Sequence, residues 1–384
     1  MKVLSLFDGM ACGALAMMRA EIPVDRYVAF EIDKYAIDTS SHNFHTIEHR
    51  GDVFGADFTE FEGFDYLIGG SPCTYWSIAQ KNNRETEASG MGWELFSQYV
   101  RALHEAKPRF FVYENNKSMS AAIRESITQA FGFEPIMINS ALVSAQNRQR
   151  LYWVGKRNAD GTYSKVDIEQ PEDRGILLKD ILVGSVAVGW RGRQEDGAWK
   201  KRYEAREDEK ANALTTARTD SMVAEPVYIG EVPDHNGKYR NGKQPSQQYR
   251  VYSTEGKSVA IDRDSRKYIA EDVPTYAHPI EFDKNGNPVK AVSRGDGKTY
   301  DVYMVENGQI TIKDKQYQIK LADGFYIIRK LTVRECMRLQ TVTELYEFPV
   351  SDNQAYKMLG NGWTVDVIAH LLTHTKAKEK TDED

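Results

Sequence analysis

The sequence is expected to fold as an α/β protein with a mostly parallel, doubly wound sheet, joined to a smaller β-rich domain. Residues 1–157 alternate short apolar runs of strand length with helical segments, a pattern that places helices on both faces of a parallel sheet. From 174 to 328 it changes to short β-like runs (PVYIG, YRVYS, DVYMV, ITIKD, YQIKL, FYIIR) divided by Gly, Asn and Asp turns. Helical periodicity returns after 329. With 384 residues, 41% hydrophobic and 28% charged, the chain is long enough for two domains. The expected organisation is 1–173, then the β-rich 174–328, then 329–375 returning to the first domain, and a charged tail at 376–384.

The first strand is residues 3–7 and the first helix 13–20. Between them, Phe7-Asp8-Gly9-Met10-Ala11-Cys12-Gly13 lets backbone approach a ligand at Gly9 and Gly13, with a helix N-terminus behind. The turn is not G-x-G-x-x-G, and ordinary tight-turn geometry accounts for it about as well. The second strand, 27–30, ends at Glu31, about 20 residues on, where dinucleotide folds place a carboxylate for ribose hydroxyls. No Lys or Arg lines the first turn, so a nucleoside fits better than a phosphate. Gly51-Asp52-Val53 supplies a third acidic position, suited to an adenine amino group. Solvated strand ends are the other reading of Glu31 and Asp52.

Residues 64–68 form the next strand and break at Gly69-Gly70 before Ser71-Pro72-Cys73. Pro72 fixes its own φ and biases Ser71 to an extended conformation, so the thiol is aimed beyond a strand's carboxyl end, where α/β sheets bind ligands. A small buried cysteine that fills space is the commoner alternative. Residues 74–93 are polar and Gly-containing and read as a mobile lid; 94–105 read as an amphipathic helix. The strand 109–113 ends at Glu114-Asn115-Asn116, on the same sheet edge as Cys73. Gln146-Asn147-Arg148-Gln149-Arg150 precedes the strand 151–155. Strand alternation puts Arg148 and Arg150 on one face, a two-pronged cation for a phosphate and a carbonyl oxygen, although surface arginines are the default for an isolated pair. Residues 331–339 and 353–374 are helical. The second stretch contains Leu359-Gly360-Asn361-Gly362-Trp363, and Cys336 is expected to face the core.

In this order, SPC at 71–73, ENN at 114–116, QNRQR at 146–150 and RECMRLQ at 334–340 resemble the motif set of the DNA (cytosine-5) methyltransferases. Phe-Asp-Gly-x-Ala-x-Gly and Trp363 are similar to the de novo mammalian branch, and the set as a whole also to bacterial and phage enzymes. The resemblance covers about 1–157 and 329–374 and implies a Rossmann-like methyltransferase domain. It implies S-adenosyl-L-methionine as cofactor, with S-adenosyl-L-homocysteine as product, held by Phe7, Asp8, Gly9, Met10, Gly13, Glu31, Ile32, Asp52, Val53, Pro72, Asn361, Gly362 and Trp363. It implies Cys73 as nucleophile, Glu114 as a carboxyl of raised pKa protonating cytosine N3, and Arg148 and Arg150 steadying the base and a phosphate. The partner implied is double-stranded DNA, met by Ser77 and by Arg250, Ser253, Thr254 and Lys257 of a target-recognition region that 211–216 and 249–261 resemble. Both segments also read as ordinary strand and turn. Asn116 departs from the apolar residue usual there. A tRNA cytosine-5 methyltransferase is the alternative, and a catalytically silent DNA-binding regulator a more distant one.

The net charge of −6 argues against indiscriminate coating of nucleic acid. It is unevenly spread: 174–328 hold 25 Lys and Arg against 23 Asp and Glu, while the rest of the chain holds 25 against 33. The middle is therefore the better candidate for a polyanion partner. Three scattered cysteines without C-x-x-C spacing point to reduced thiols and no metal. No long apolar run or signal peptide is present, so a cytoplasmic monomer in a prokaryotic or phage-infected cell is expected.

Overall fold

The computed structural model describes residues 1–77, 84–181, 186–195, 198–205, 211–212, 222–226, 280–284, 287–293, 297–312, 315–318 and 323–377. The chain divides into two compact units: Met1–Ile176 together with Cys336–Asp384, and Leu177–Glu335.

In the first unit the strands are β1 (Lys2–Leu6), β2 (Arg26–Phe30), β3 (Ile47–His49), β4 (Tyr66–Gly69), β5 (Phe110–Asn116), β6 (Ile136–Asn139), the two-residue β7 (Gln146–Asn147), β8 (Gln149–Arg157) and β9 (Tyr163–Lys165). The sheet runs β3-β2-β1-β4-β5-β8-β6, with β9 beside β8. The pairs from β3 to β5 are parallel, whereas β8 runs antiparallel to β5, β6 and β9. Val3 to Leu6, Tyr27 to Phe30 and all of β4 are buried, as central strands covered on both faces must be.

Helices α1 (Cys12–Arg19), α2 (Lys34–Asn43), α3 (Gly90–Ala106) and α4 (Ala121–Phe131) connect the strands. Gly13 lies inside α1 and brings it against the sheet: a Cβ there would stand 2.4 Å from Ile68 Cδ1 and 2.7 Å from Tyr27 Oη. Helix α3 buries Phe96, Tyr99, Ala102, Leu103 and Ala106. The Tyr99 hydroxyl donates to the carbonyl of Val112 at 2.9 Å, and its ring meets Tyr113 edge-on at 4.9 Å. This helix begins at Gly90, four residues before the expected start, because the Glu85 carboxylate accepts from Gly92 N–H. Strand β5 likewise runs beyond 113, since Glu114, Asn115 and Asn116 pair with Tyr152, Leu151 and Arg150 of β8.

The expected C-terminal helix is two helices, Asp352–Asn361 and Val365–Ala377, separated at Gly362. The second packs on α1, with Asp366 ion-paired to Arg19, and Tyr66 and Thr375 share a hydrogen bond of 2.9 Å. Cys336 is buried.

The second unit carries an antiparallel sheet whose strands run Ala198–Ala205, Val186–Glu195, Met222–Pro226, Gly324–Lys330, Thr299–Glu306, Pro288–Val292, Ile280–Phe282. Its C-terminal limit falls after Glu335. Arg329, 1% exposed, forms a two-pronged ion pair of 2.8 Å with Glu335, and this ties residues 329–335 to the last strand. Arg250, Ser253, Thr254 and Lys257 lie outside the described residues, as does most of 211–216.

Candidate active site

The carboxyl ends of β1, β2, β4 and β5 border a cavity of about 210 Å³. Of the residues expected from sequence, Phe7, Asp8, Gly9, Met10, Glu31, Pro72, Cys73, Glu114, Arg148, Arg150, Asn361, Gly362 and Trp363 line it. Gly13, Ile32, Asp52, Val53 and Ser77 are not in its lining. Gly13 is spent on helix packing, as described. Ile32 is 74% exposed, Val53 is core, and exposed Asp52 accepts from Phe54 N–H within its own loop at 3.0 Å. Ser77 N–H donates to the Cys73 carbonyl at 2.9 Å.

On the β1 and β2 side, Phe7, Gly9 and Ala11 all take positive φ, so the turn curls tightly. A Cβ on Gly9 would meet nothing within 4 Å, and Gly9 lines open space. Glu31 fixes the turn: Oε2 accepts from Gly9 N–H and Oε1 from Ile32 N–H and Asp33 N–H, each at 2.8 Å. Ser5 and Tyr27 hydroxyls donate to Asp8 Oδ1 at 2.6 and 2.7 Å, while the buried Oδ2 has no partner among the described residues. Burial pushes the Asp8 carboxyl up to about 6, against those two hydrogen bonds. Asp33 caps α2 and pairs with Lys357 Nζ at 2.7 Å, and both line the cavity.

On the β4 and β5 side, Cys73 opens a single 3₁₀ turn, Cys73–Tyr75, and is half-buried. Buried Asn115 donates to the Ser71 carbonyl at 3.1 Å and to Tyr113 Oη at 3.2 Å; that hydroxyl shares a 2.7 Å bond with Ser71 Oγ. The Asn116 amide donates to the Cys73 carbonyl at 3.4 Å. The departure at 116 thus places a donor beneath the Cys73 loop, where an apolar side chain would offer none. Gly70 makes room, since a Cβ there would stand 2.7 Å from the Glu114 carbonyl and 2.9 Å from its Oε2.

Glu114, 12% exposed, meets Arg150 Nε at 3.0 Å through Oε1 and accepts from Trp363 Nε1 at 3.0 Å through Oε2. Arg148, 3% exposed, lines the cavity beside Arg150 and donates to the carbonyls of Gly360 at 3.2 Å and Gly362 at 2.8 Å, so it holds the turn before Trp363. Burial, then the charge of Arg150, pushes its guanidinium down to about 10, which leaves it protonated at neutral pH. Gln340 supports the same turn, donating to Leu359 and Gly362 carbonyls at 2.6 and 3.2 Å.

Cys12 was not expected here, but it lines the cavity too. It is 4% exposed, and burial pushes its thiol up to about 12, whereas Cys73 is only half-buried. Cys12, Asp33, Ser71 and Lys357 escaped sequence reasoning; the SPC motif and the α2 cap position were the available signals for Ser71 and Asp33.

A glycine turn, a clamping carboxylate and an aimed cysteine at neighbouring strand ends make up the site of an α/β enzyme. Residues 1–377 match the C-5 cytosine-specific DNA methylase family, and the chain belongs to that family. Membership implies S-adenosylmethionine-dependent methyl transfer to cytosine C5 in DNA. The chain is 25% identical over 444 residues to orphan methyltransferase M.SPRI of Bacillus phage SPR, covering 100% of this chain and 99% of that one. It is 23% identical over 415 residues to type II methyltransferase M.BanI of Aneurinibacillus aneurinilyticus, covering 97% and 94%. Its fold is similar to Entamoeba histolytica methyltransferase EhMeth (TM-score 0.53, 11% identity, 98% of each chain) and to a Spodoptera frugiperda DNMT2 mutant (TM-score 0.52, 14% identity, 97% and 98%). Among the described residues no helix is long and apolar enough to cross a membrane, and no group of His, Cys, Asp and Glu could hold a metal ion.

Proposed function

We propose that the protein methylates a cytosine flipped out of a specific duplex sequence, through a covalent bond between Cys73 and C6. The observation that supports this reading is that Cys73, Glu114 and the Gly9–Glu31 turn line one cavity. That cavity fits the cofactor: Gly9 faces open space, and the buried Asp8 Oδ2 has no partner among the described residues. Glu31, Gly9, Met10, Pro72 and Trp363 would hold S-adenosylmethionine, and Asp52 would reach its adenine from the rim. When bound, the cofactor supplies an electrophilic methyl group.

Cytosine C5 is too weak a nucleophile unaided. The Cys73 thiolate adds to C6, forming a C–S bond and making C5 electron-rich. A proton held between Glu114 and cytosine N3 offsets the developing ring charge. Arg150 fixes Glu114 and faces the base, while Arg148 acts by holding the Gly360–Gly362 carbonyls. Once C5 carries the methyl group, its proton is lost to a base and the C–S bond breaks, which restores the thiolate. None of these groups reaches C6 in a stacked duplex, so the base must leave the helix. The second unit, with Arg250, Ser253, Thr254 and Lys257 of its sequence, would read the target, and Ser77 would meet DNA beside the flipped base.

Bisulfite sequencing of DNA from expressing cells tests the reading directly. Methylated cytosines confined to one short motif are expected. Unmodified DNA, with purified enzyme methylating transfer RNA alone, would overturn it.

A further inference from the structure

Cys73 has its carbonyl tied at three points, to Trp76 N–H at 3.1 Å, Ser77 N–H at 2.9 Å and the Asn116 amide at 3.4 Å. Two of those three donors belong to a turn that must itself be held. Trp76 holds it: its side chain is completely buried, and its indole N–H donates to Glu85 Oε2 at 3.0 Å. Glu85 in turn accepts Gly92 N–H at 3.2 Å in the first turn of α3, and its own N–H donates to the Tyr75 carbonyl at 2.9 Å. Space has been cleared for this carboxylate. A Cβ on Gly90 would stand 2.5 Å from Glu85 Oε1, and one on Gly92 would stand 2.5 Å from Trp76 Nε1 and 2.6 Å from Glu85 Oε2. Arg84 adds a 3.2 Å bond from Nε to the Trp76 carbonyl.

We infer that Glu85 is a positioning residue for the nucleophile: it locks the Trp76 ring to the start of α3 and thereby sets where the Cys73 sulfur stands. The inference rests on Cys73 being the nucleophile. Glu85 touches neither base nor cofactor in this role, so its loss should slow the step at sulfur and leave cofactor binding alone. Misplacing a reacting group by about 1 Å costs on the order of 100-fold, which sets the scale expected.

The experiment measures covalent trapping on duplex DNA carrying 5-fluorocytosine, together with steady-state turnover, for wild type, Glu85→Ala, Glu85→Gln, Trp76→Phe and the double variant Glu85→Ala/Trp76→Phe. Glu85→Ala is expected to slow trapping and turnover about 10- to 100-fold with the cofactor KM unchanged within about twofold. Glu85→Gln keeps an acceptor and should recover most of the rate. Trp76→Phe should resemble Glu85→Ala, and the double variant should be no slower than either single one, because both break the same bond. Should Glu85→Ala fail to fold, Glu85→Gln and Trp76→Phe carry the test by the same rates. Normal trapping in Glu85→Ala, a fall confined to cofactor KM, or additive losses in the double variant would overturn the inference. Failure of the wild type to trap would instead remove the nucleophile assignment beneath it.

Discussion

Around Cys73 the cavity wall is tied mainly by side chains to one another and to backbone, whereas around Gly9 the backbone itself carries the turn, clamped by the Glu31 carboxylate. Asn115, Asn116, Tyr113 and Trp76 hold the Cys73 loop, and Arg150 with Trp363 holds Glu114. The glycine turn is shaped by its own φ angles and by one carboxylate that accepts three N–H groups. The nucleophile must be aimed to within a fraction of an ångström, which suits buried directional bonds. A nucleoside needs instead a surface that backbone can approach closely, which suits glycine. Substitutions on the first wall should therefore change rate, and those on the second should change cofactor affinity.

The sharpest contrast is between two cysteines that line the same cavity. Cys73→Ala should abolish methylation and the 5-fluorocytosine adduct while cofactor affinity stays within about twofold, because no other thiol is exposed enough to add to C6. Cys12→Ala should keep both. Mass spectrometry of the trapped adduct, locating the modified residue, decides the matter; a Cys12 adduct would exchange the two assignments.

Next in size is Glu114→Gln. The amide can still accept from Trp363 but neither pairs with Arg150 as an anion nor carries a proton to N3. Turnover should fall by about 10²- to 10⁴-fold, with cofactor affinity preserved. A loss appearing in cofactor Kd rather than kcat would place Glu114 on the other wall.

Asp8 tests the glycine-turn wall by pH. Its carboxyl ionises near 6 when folded against 3.8 ordinarily, so between those values the folded chain keeps a proton that the unfolded chain has lost. This contribution to stability is largest below about pH 4, falls as pH rises, and is gone above about pH 6, a change of at most about 3 kcal/mol. In urea unfolding from pH 4 to 7, the difference between wild type and Asp8→Asn should carry this slope. A flat difference would mean that Asp8 is ionised throughout.

How much of this was legible follows the range of the forces involved. Cys73 and Glu114 at neighbouring strand ends were readable because apolar runs and the Gly69-Gly70 break are local. The bonds of Arg148 to carbonyls 212 residues later were not legible, because alternation along a strand cannot disclose them. The same holds for Gly13, whose neighbours Ile68 and Tyr27 are tertiary, and for the early start of α3, which depends on Glu85. Cys12 fell within a recognised turn, but its place in the cavity comes from the close approach of Gly362, 3.1 Å from its sulfur for a Cβ built there.

The smallest expected effects compare two acidic residues that sequence treated alike. Glu31 lines the cavity and fixes Gly9, so Glu31→Ala removes the clamp on the turn and, if the cofactor sits there as proposed, a contact to it. A charge-assisted hydrogen bond contributes about 1.5 to 3 kcal/mol, and cofactor Kd should rise by about 10- to 100-fold. Asp52 is exposed, stands outside the lining, and already accepts from Phe54 N–H. Water competes for an exposed carboxylate, so Asp52→Ala should cost no more than about 1 kcal/mol, roughly fivefold. Calorimetric titration of S-adenosylhomocysteine into both variants measures the two numbers side by side. If Asp52→Ala costs as much as Glu31→Ala, the loop after β3 must fold inward over the bound nucleoside, and the cofactor wall would then extend beyond the backbone turn to a side chain on its rim.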